Sequence, residues 1–490
     1  MSGFATELWR VLVQDSPLAY PQLFLAVSAT LMLWPGDLFV PAGKKGRWAD
    51  VTLGLLFATL VLVLGNGISM RSGFAEMFRV DGITVGFQIL CILSAMLTVL
   101  LSQPQLEALK EQSVEYYALI LYSLVGMLFL VGATDLISIF FSVELMALCI
   151  YVLVGYLRHR DRSVEGAMKY FLLGAFSSGI LLFGISLLFA ATGGISTNLE
   201  VLGRALPLAT PGQGLLVGAG VILVLAGFAF KVAAVPFHMW SPDAYEGAPT
   251  PITAFMSVAP KAAALAAFIR LFGHGLAGLH AEWSVHLGWI AAASMVVGNL
   301  AALRQQSLKR MLAYSSIAHV GYLLLGVLSH DAQAGVQAVW LYLLIYLVMQ
   351  TGAFAVVILL EGRSEGERID DFRGLGKRQP VLAFAMLVFL LSLAGIPPLV
   401  GFFGKFYLFK LAIEQGYVAL TVLALLTSAV SAYYYLGVVQ VMYFKEPRGE
   451  RAEEEPHSLG YVIGLFALLT LVGTLFGTRL LDWVARITWA

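Results

Sequence analysis

Lys231, Lys261 and Lys405 each stand inside a long apolar stretch, and so do a carboxylate, Glu144, and an imidazole, His319. An ammonium near the middle of a bilayer helix costs roughly 2.5–3.5 kcal/mol on insertion scales. Desolvation disfavours the charged form, so a buried lysine is suited to releasing and regaining a proton. An imidazole exchanges protons near neutral pH. A carboxylate in an apolar span needs a cation. Glu144 has none within helical reach, and Lys231, 87 residues on, is the economical partner. Separating such a pair would release the lysine's proton. These residue types in these places describe a proton or ion pathway.

Each group also has a structural reading. Lys231 lies near one end of its span and could snorkel to the surface. Lys261 follows Pro260 and could be satisfied by carbonyls freed at a kink. Lys405 follows Pro397 and Pro398 by less than three turns, with Lys410 and Glu414 further towards the surface. A lone membrane histidine such as His319 is often simply bonded to a serine or tyrosine. Weaker candidates are His238, with Asp243 and Glu246 in the following loop, which could feed protons in or could be solvated loop residues. Lys169 at the start of the sixth span is either interfacial or part of the central line. Tyr435, with Tyr433 and Tyr434, reads as packing and hydrogen bonding before it reads as a carrier.

The elements that must position these groups are membrane helices. Of the 490 residues, 59% are hydrophobic and only 12% charged, where a soluble domain has about 25% charged. The fold class expected is therefore an all-α polytopic membrane protein. Runs of about 18 or more apolar residues give fourteen spans. They lie at about 18–40, 50–67, 81–101, 115–132, 135–157, 166–191, 213–236, 249–272, 283–303, 310–329, 334–361, 380–412, 417–444 and 459–480. Gly132 and Asp135 mark the turn between the fourth and fifth. Odd-numbered loops hold eighteen Lys and Arg, against seven in even-numbered loops and termini. The positive-inside bias then makes the odd loops cytoplasmic and puts both termini on the other side.

Two spans are interrupted, helix 7 at Pro236 and helix 12 at Pro397 and Pro398. Proline removes a donor and clashes with the preceding turn, and irregular backbone at membrane depth is tolerated only against protein or water. Glu144 to Lys231 is 87 residues and His319 to Lys405 is 86; an offset of 174 carries Glu144 onto Ala318, beside His319, Lys231 onto Lys405 and Lys261 onto Tyr435. Two five-helix units offset by five helices would be inverted repeats, with broken helices 7 and 12 at their ion sites. The domain division that follows is 1–110 for helices 1–3, 111–275 for helices 4–8, 276–445 for helices 9–13, and 446–490 for the last loop and helix 14.

Several classes are excluded. A net charge of zero argues against nucleic acid as a partner. Two distant cysteines, Cys91 and Cys149, cannot ligate an iron–sulfur cluster, and a pair of facing histidines for haem is missing. No cofactor or metal is expected on this chain, so any redox chemistry belongs to other chains. Positions 1–17 have no signal-peptide pattern, so the first span is expected to stay in the lipid bilayer.

The motifs GFAFKVAAVPFHMWSPDAYEGAPTP and SVAPKAA (helices 7–8), SLKRMLAYSSIAHVGYLLLG (helix 10) and LSLAGIPPLVGFFGKFYLF (helix 12) resemble the antiporter-like membrane subunits of bacterial NADH:quinone oxidoreductase, complex I, and among them the N subunits. The resemblance covers about residues 110–445. It implies fourteen helices, inverted repeats at helices 4–8 and 9–13, and one proton channel. It also implies a relay of Glu144, Lys231, Lys261, His319 and Lys405, driven by NADH, FMN, iron–sulfur clusters and quinone held by other subunits. The partners implied are antiporter-like M and L subunits, small membrane subunits and, through them, the peripheral redox arm, in a bacterial cytoplasmic (inner) membrane. L and M subunits tend to have an acid where this chain has Lys405. Rival readings are a subunit of a multi-subunit Na+/H+ antiporter, of a hydrogenase- or formate-linked complex, or a passive spacer.

Overall fold

The structure, a computed structural model, describes residues 10–34, 46–67, 70–208, 213–361, 366–447 and 457–487. Its principal helices are α1 (Tyr20–Leu33), α2 (Arg47–Asn66), α3 (Gly82–Leu109), α4 (Val114–Gly132), α5 (Leu136–Val154), α6 (Asp161–Ala191), α7a (Gly214–Lys231), α7b (Trp240–Gly247), α8 (Thr250–Arg270) and α9 (His280–Ala302). They continue with α10 (Leu308–Val327), α11 (Ala332–Glu361), α12a (Pro380–Ala394), α12b (Val400–Glu414), α13 (Val418–Phe444), α14 (His457–Val472) and α15 (Gly477–Ile487). Twelve described helices are long and apolar enough to cross a membrane. The other two expected spans are α10, where Lys309, Arg310 and His319 interrupt the apolar run, and the broken α12a–α12b. The chain is a multi-pass helical membrane protein.

Helix starts follow the local chemistry. Asp135 caps α5 by accepting from Ile137 N at 2.8 Å, so the turn at Gly132–Asp135 is real. Ser307 caps α10 through Arg310 N, and Asp81 caps α3 through Thr84 N. α8 is buried from Thr250 to Arg270, whereas α2, α6, α9 and α13 show large apolar side chains outward, such as Phe57, Phe176, Trp289 and Tyr433. Lipid or apolar partner surface can cover such residues without loss.

Several boundaries differ from expectation. α3 runs through Pro104 to Leu109, beyond the expected end at 101. A two-stranded hairpin, β1 (Arg71–Gly73) and β2 (Phe78–Val80), precedes it. The last span is divided into α14 and α15 by a 3-10 turn at Gly473–Phe476, and Gly477, which opens α15, packs on Phe403 where a Cβ would come within 2.7 Å. The final residues of the first expected span, 35–40, lie outside the described residues, as do Lys44, Lys45, Arg363, Arg448 and Arg451 of the basic loops.

Local contacts in 114–270 recur in 280–444. Gly126 lets α4 approach α5 so closely that a Cβ would meet Met146 N at 2.5 Å; Gly298 does the same for α9 and α10, against Ala318 N at 2.6 Å. Both residues of the second contact lie 172 further along. The caps Asp135 and Ser307 are also 172 apart, and each joins a short antiparallel bridge, to Asn198 and Arg368 respectively. These contacts and caps are related by 172 residues, whereas 174 relates Lys231 to Lys405. At 172 the counterpart of Glu144 is Ser316, one turn before His319.

Candidate functional site

Lys231 is the last residue of α7a, and residues 232–239 leave the helix before α7b begins. Its ammonium lies 3.3 Å from Glu144 Oε1 on α5 and donates to Ser178 Oγ on α6 at 3.2 Å. Ser178 in turn donates to Glu144 Oε1 through a short hydrogen bond. One hydroxyl therefore bridges both charges. The lysine side chain is 3% exposed and the carboxylate 23%, so Glu144 lies at the edge of the chain and Lys231 inside it.

Lys261 sits in the middle of the fully buried α8, which excludes snorkelling. Its ammonium donates to Ser316 Oγ on α10 at 2.6 Å and lies over the Tyr245 ring at 5.7 Å, within cation–π range. α10 brings Ser315, Ser316, His319 and Tyr322 to one side, at the three- and four-residue spacing of a helical face. His319 Nδ1 bonds Tyr342 OH on α11, and Nε2 faces Tyr435 OH on α13 at 3.5 Å. Tyr435 OH also makes a short hydrogen bond to Ser315 Oγ. His319 is therefore held between two tyrosines beside the Lys261–Ser316 contact.

Lys405 lies on α12b, beyond the break at 395–399, whereas Lys231 lies before its break. The side chain reaches back, so its ammonium donates to the carbonyls of Leu393 (2.9 Å) and Ala394 (3.0 Å), the last residues of α12a, and to Ser428 Oγ at 2.8 Å. The Lys405 ammonium thus ends at the C-terminus of the first half-helix, where carbonyls and the helix dipole favour a cation, whereas the Lys231 ammonium turns to Glu144 and Ser178 on neighbouring helices. Lys405 also lies over the Tyr322 ring at 5.2 Å, and that ring packs edge-on against His319.

The remaining candidates separate. Lys169 is partly exposed and pairs with Asp243 (2.7 Å) and Glu165 (2.6 Å) at the helix end. Asp243 and Glu246 are not solvated loop residues: they form part of α7b, and both pair with Arg310. His238 stays in the 232–239 break, half-buried. Tyr435 is fully buried, while Tyr433 faces outward. The sequence reading missed Ser178, Ser316, Ser428, Tyr322 and Tyr342, since hydroxyls in apolar helices are common. The stripe on α10 was the one signal available for two of them. Among the described residues no group of three or more His, Cys, Asp or Glu is placed to hold a metal ion.

A helical membrane protein with two interrupted helices and buried lysines set against hydroxyls and carbonyls defines an antiporter-like subunit. The family described as NADH:quinone oxidoreductase/Mrp antiporter, TM, matches residues 133–431. The chain is 43% identical over 470 residues to NADH-quinone oxidoreductase subunit N 2 of Rhizobium meliloti, covering 95% of each chain. It is 44% identical over 427 residues to subunit N of Trichlorobacter lovleyi, covering 87% of each. Among solved structures it is similar to a chain of respiratory complex I from Thermus thermophilus with bound aureothin (34% identity, TM-score 0.78, 95% of this chain and 98% of that one). It is similar also to a chain of the archaeal membrane-bound sulfane sulfur reductase (25% identity, TM-score 0.82, 96% and 97%). The chain belongs to the NADH:quinone oxidoreductase/Mrp antiporter family and, within it, to the N subunits of NADH-quinone oxidoreductase.

Proposed function

We propose that this chain is a non-redox, proton-translocating subunit of the membrane arm of NADH:quinone oxidoreductase, with Glu144, Lys231, Lys261, His319 and Lys405 as its relay. The observation that supports this most is the placement of the three ammonium groups. Each is buried and each is held by neutral hydroxyls or carbonyls, with a carboxylate only at Lys231. Neutral partners stabilise an ammonium less than a carboxylate does, so each site can exist with or without its proton.

Quinone chemistry in neighbouring subunits shifts the Glu144–Lys231 pair. Lys231 then changes its proton affinity, Lys261 responds, and a proton passes by Ser316 and His319 to Lys405. Protons enter from the cytoplasm and leave on the far side by helix 12. NADH, FMN, iron–sulfur clusters and quinone belong to other subunits, and M, L and small membrane subunits are the neighbours. Residues 111–275 and 276–445 are the two inverted repeats, flanked by 1–110 and 446–490. The chain lies in the bacterial cytoplasmic membrane with both termini periplasmic.

The test is Lys261→Ala in the assembled complex, in inverted membrane vesicles, with NADH oxidation and proton uptake recorded together. Proton uptake should fall by about 100-fold, the lower end of what a positioned proton-transfer group contributes. Uptake at the wild-type ratio to NADH sinks the relay. Unchanged NADH oxidation with lost Na+ tolerance would instead favour a cation antiporter.

A further inference from the structure

Lys261 needs a source of protons, and three helices meet below it. Thr250, Ser257 and Lys261 are seven and eleven residues along α8, hence on one side of it. Lys309 and Ser316 are seven apart and share one side of α10. Glu361 and Gln350 are eleven apart and share one side of α11, with Phe354 between them.

Contacts at both ends turn these sides towards each other. At the lower end Glu361 Oε2 accepts from Thr250 Oγ1 at 2.6 Å and from Gln105 Nε2 at 2.7 Å, while Lys309 Nζ lies 3.7 Å from Oε1. At the upper end Lys261 bonds Ser316. The side chain of Gln350 stands at the level of Lys261 by the same count of residues, roughly 16 Å from the mouth at 1.5 Å per residue. Gln350 is fully buried, and among the described residues neither its amide nitrogen nor its oxygen has a hydrogen-bond partner. A buried amide with both atoms unpaired is costly and requires an explanation; a water in the seam would satisfy both atoms.

The lower end opens into a cavity of about 680 Å³ lined by Gln105, Arg162, Glu246, Lys309, Glu361 and Glu367. We infer that the seam between α8, α10 and α11 is the proton-uptake route to Lys261, with Glu361 as the acceptor at its mouth and Gln350 as the group that holds water beside the lysine. The inference rests on the relay proposed above. Glu361 takes a proton from water in the cavity and returns it to a water file along Thr250 and Ser257. Lys261 receives a proton from the last water at Gln350, so each group is restored after one transfer.

The experiment compares Glu361→Gln, Glu361→Asp, Gln350→Leu and Gln350→Glu with Lys261→Ala, measuring NADH-driven proton uptake by vesicles that contain the assembled complex. Glu361→Gln and Gln350→Leu should lose most of the uptake that Lys261→Ala loses, and Glu361→Asp and Gln350→Glu should restore it. Rescue by a shorter carboxylate separates proton acceptance from a purely structural tie to Lys309, which Gln could still bond. Wild-type uptake in Glu361→Gln removes the acceptor, and wild-type uptake in Gln350→Leu removes the seam, in both cases with the relay intact if Lys261→Ala is inactive. If Lys261→Ala itself pumps normally, the relay fails and the seam with it. Should Glu361→Gln prevent assembly, Gln350→Leu, which leaves every ion pair at the mouth in place, decides.

Discussion

Two ion pairs in this molecule are built in opposite ways. Asp81 and Arg270 meet fork to fork, at 2.8 and 2.9 Å, and Arg270 also donates to Thr84 Oγ1 while Asp81 accepts from Thr84 N. The pair ties the start of α3 to the end of α8. Glu144 and Lys231 meet at a single oxygen, 3.3 Å apart, with Ser178 inserted between them. A bidentate guanidinium fixes direction as well as distance and keeps its charge at any physiological pH. A lysine on one oxygen has a rotatable head and a proton it can lose. The first geometry is a clamp and the second a contact that can be opened.

The comparison is broken most severely at the clamp. Arg270→Ala leaves Asp81 as an unpaired buried charge and should cost about 3–5 kcal/mol, read as loss of the subunit from the complex on native gels. Acid should act on the same pair. Burial raises the Asp81 carboxyl, but Arg270 and the Thr84 bonds outweigh it and hold the group well below the ordinary carboxylate range. Its stabilisation is therefore full above the unfolded-state value and is lost as pH falls through the lower folded value. Titrating detergent-solubilised complex towards low pH should show Arg270→Ala less sensitive to acid than wild type, after allowing for its lower starting stability.

At the openable pair the effects should fall on function. Lys231→Arg keeps the charge beside Glu144 but cannot release its proton. The complex should assemble while proton uptake drops by about 100-fold; wild-type pumping would contradict the idea that Lys231 changes protonation. Ser178→Ala removes the bridging hydroxyl. Losing a hydrogen bond to charged groups costs about 1.5–3 kcal/mol, so uptake should slow by about tenfold or more with assembly retained. Tyr435→Phe is the mildest change, one neutral hydroxyl facing His319 and Ser315, worth about 1 kcal/mol. A several-fold slowing in stopped-flow pH measurements is expected, and no change would remove Tyr435 from the relay.

Much of this was legible in the chain. Asp135 with Gly132 marked the α4–α5 turn, Pro236 and Pro397–Pro398 marked both interruptions, and Glu144 and Lys231 were paired on charge alone. The register was not legible. Lys231 lies 87 residues from Glu144 and Lys405 lies 86 from His319, yet the two lysines stand on opposite sides of their breaks. Asp243 falls between the expected spans 213–236 and 249–272 and so read as loop, but it lies in α7b, with Lys169 and Arg310 as cations for its carboxylate.

The sequence by itself determined that this chain lies in a membrane, about where it crosses, and which charged groups are too costly to be there without purpose. Those conclusions rest on transfer energies and proline sterics, which depend on residue type and distance along the chain. Only the tertiary structure decided which neutral group faces each charge: Ser178 between Glu144 and Lys231, Ser316 at Lys261, and the carbonyls of Leu393 and Ala394 at Lys405. Hydrogen bonds act over about 3 Å between helices far apart in sequence, so no one-dimensional pattern specifies them.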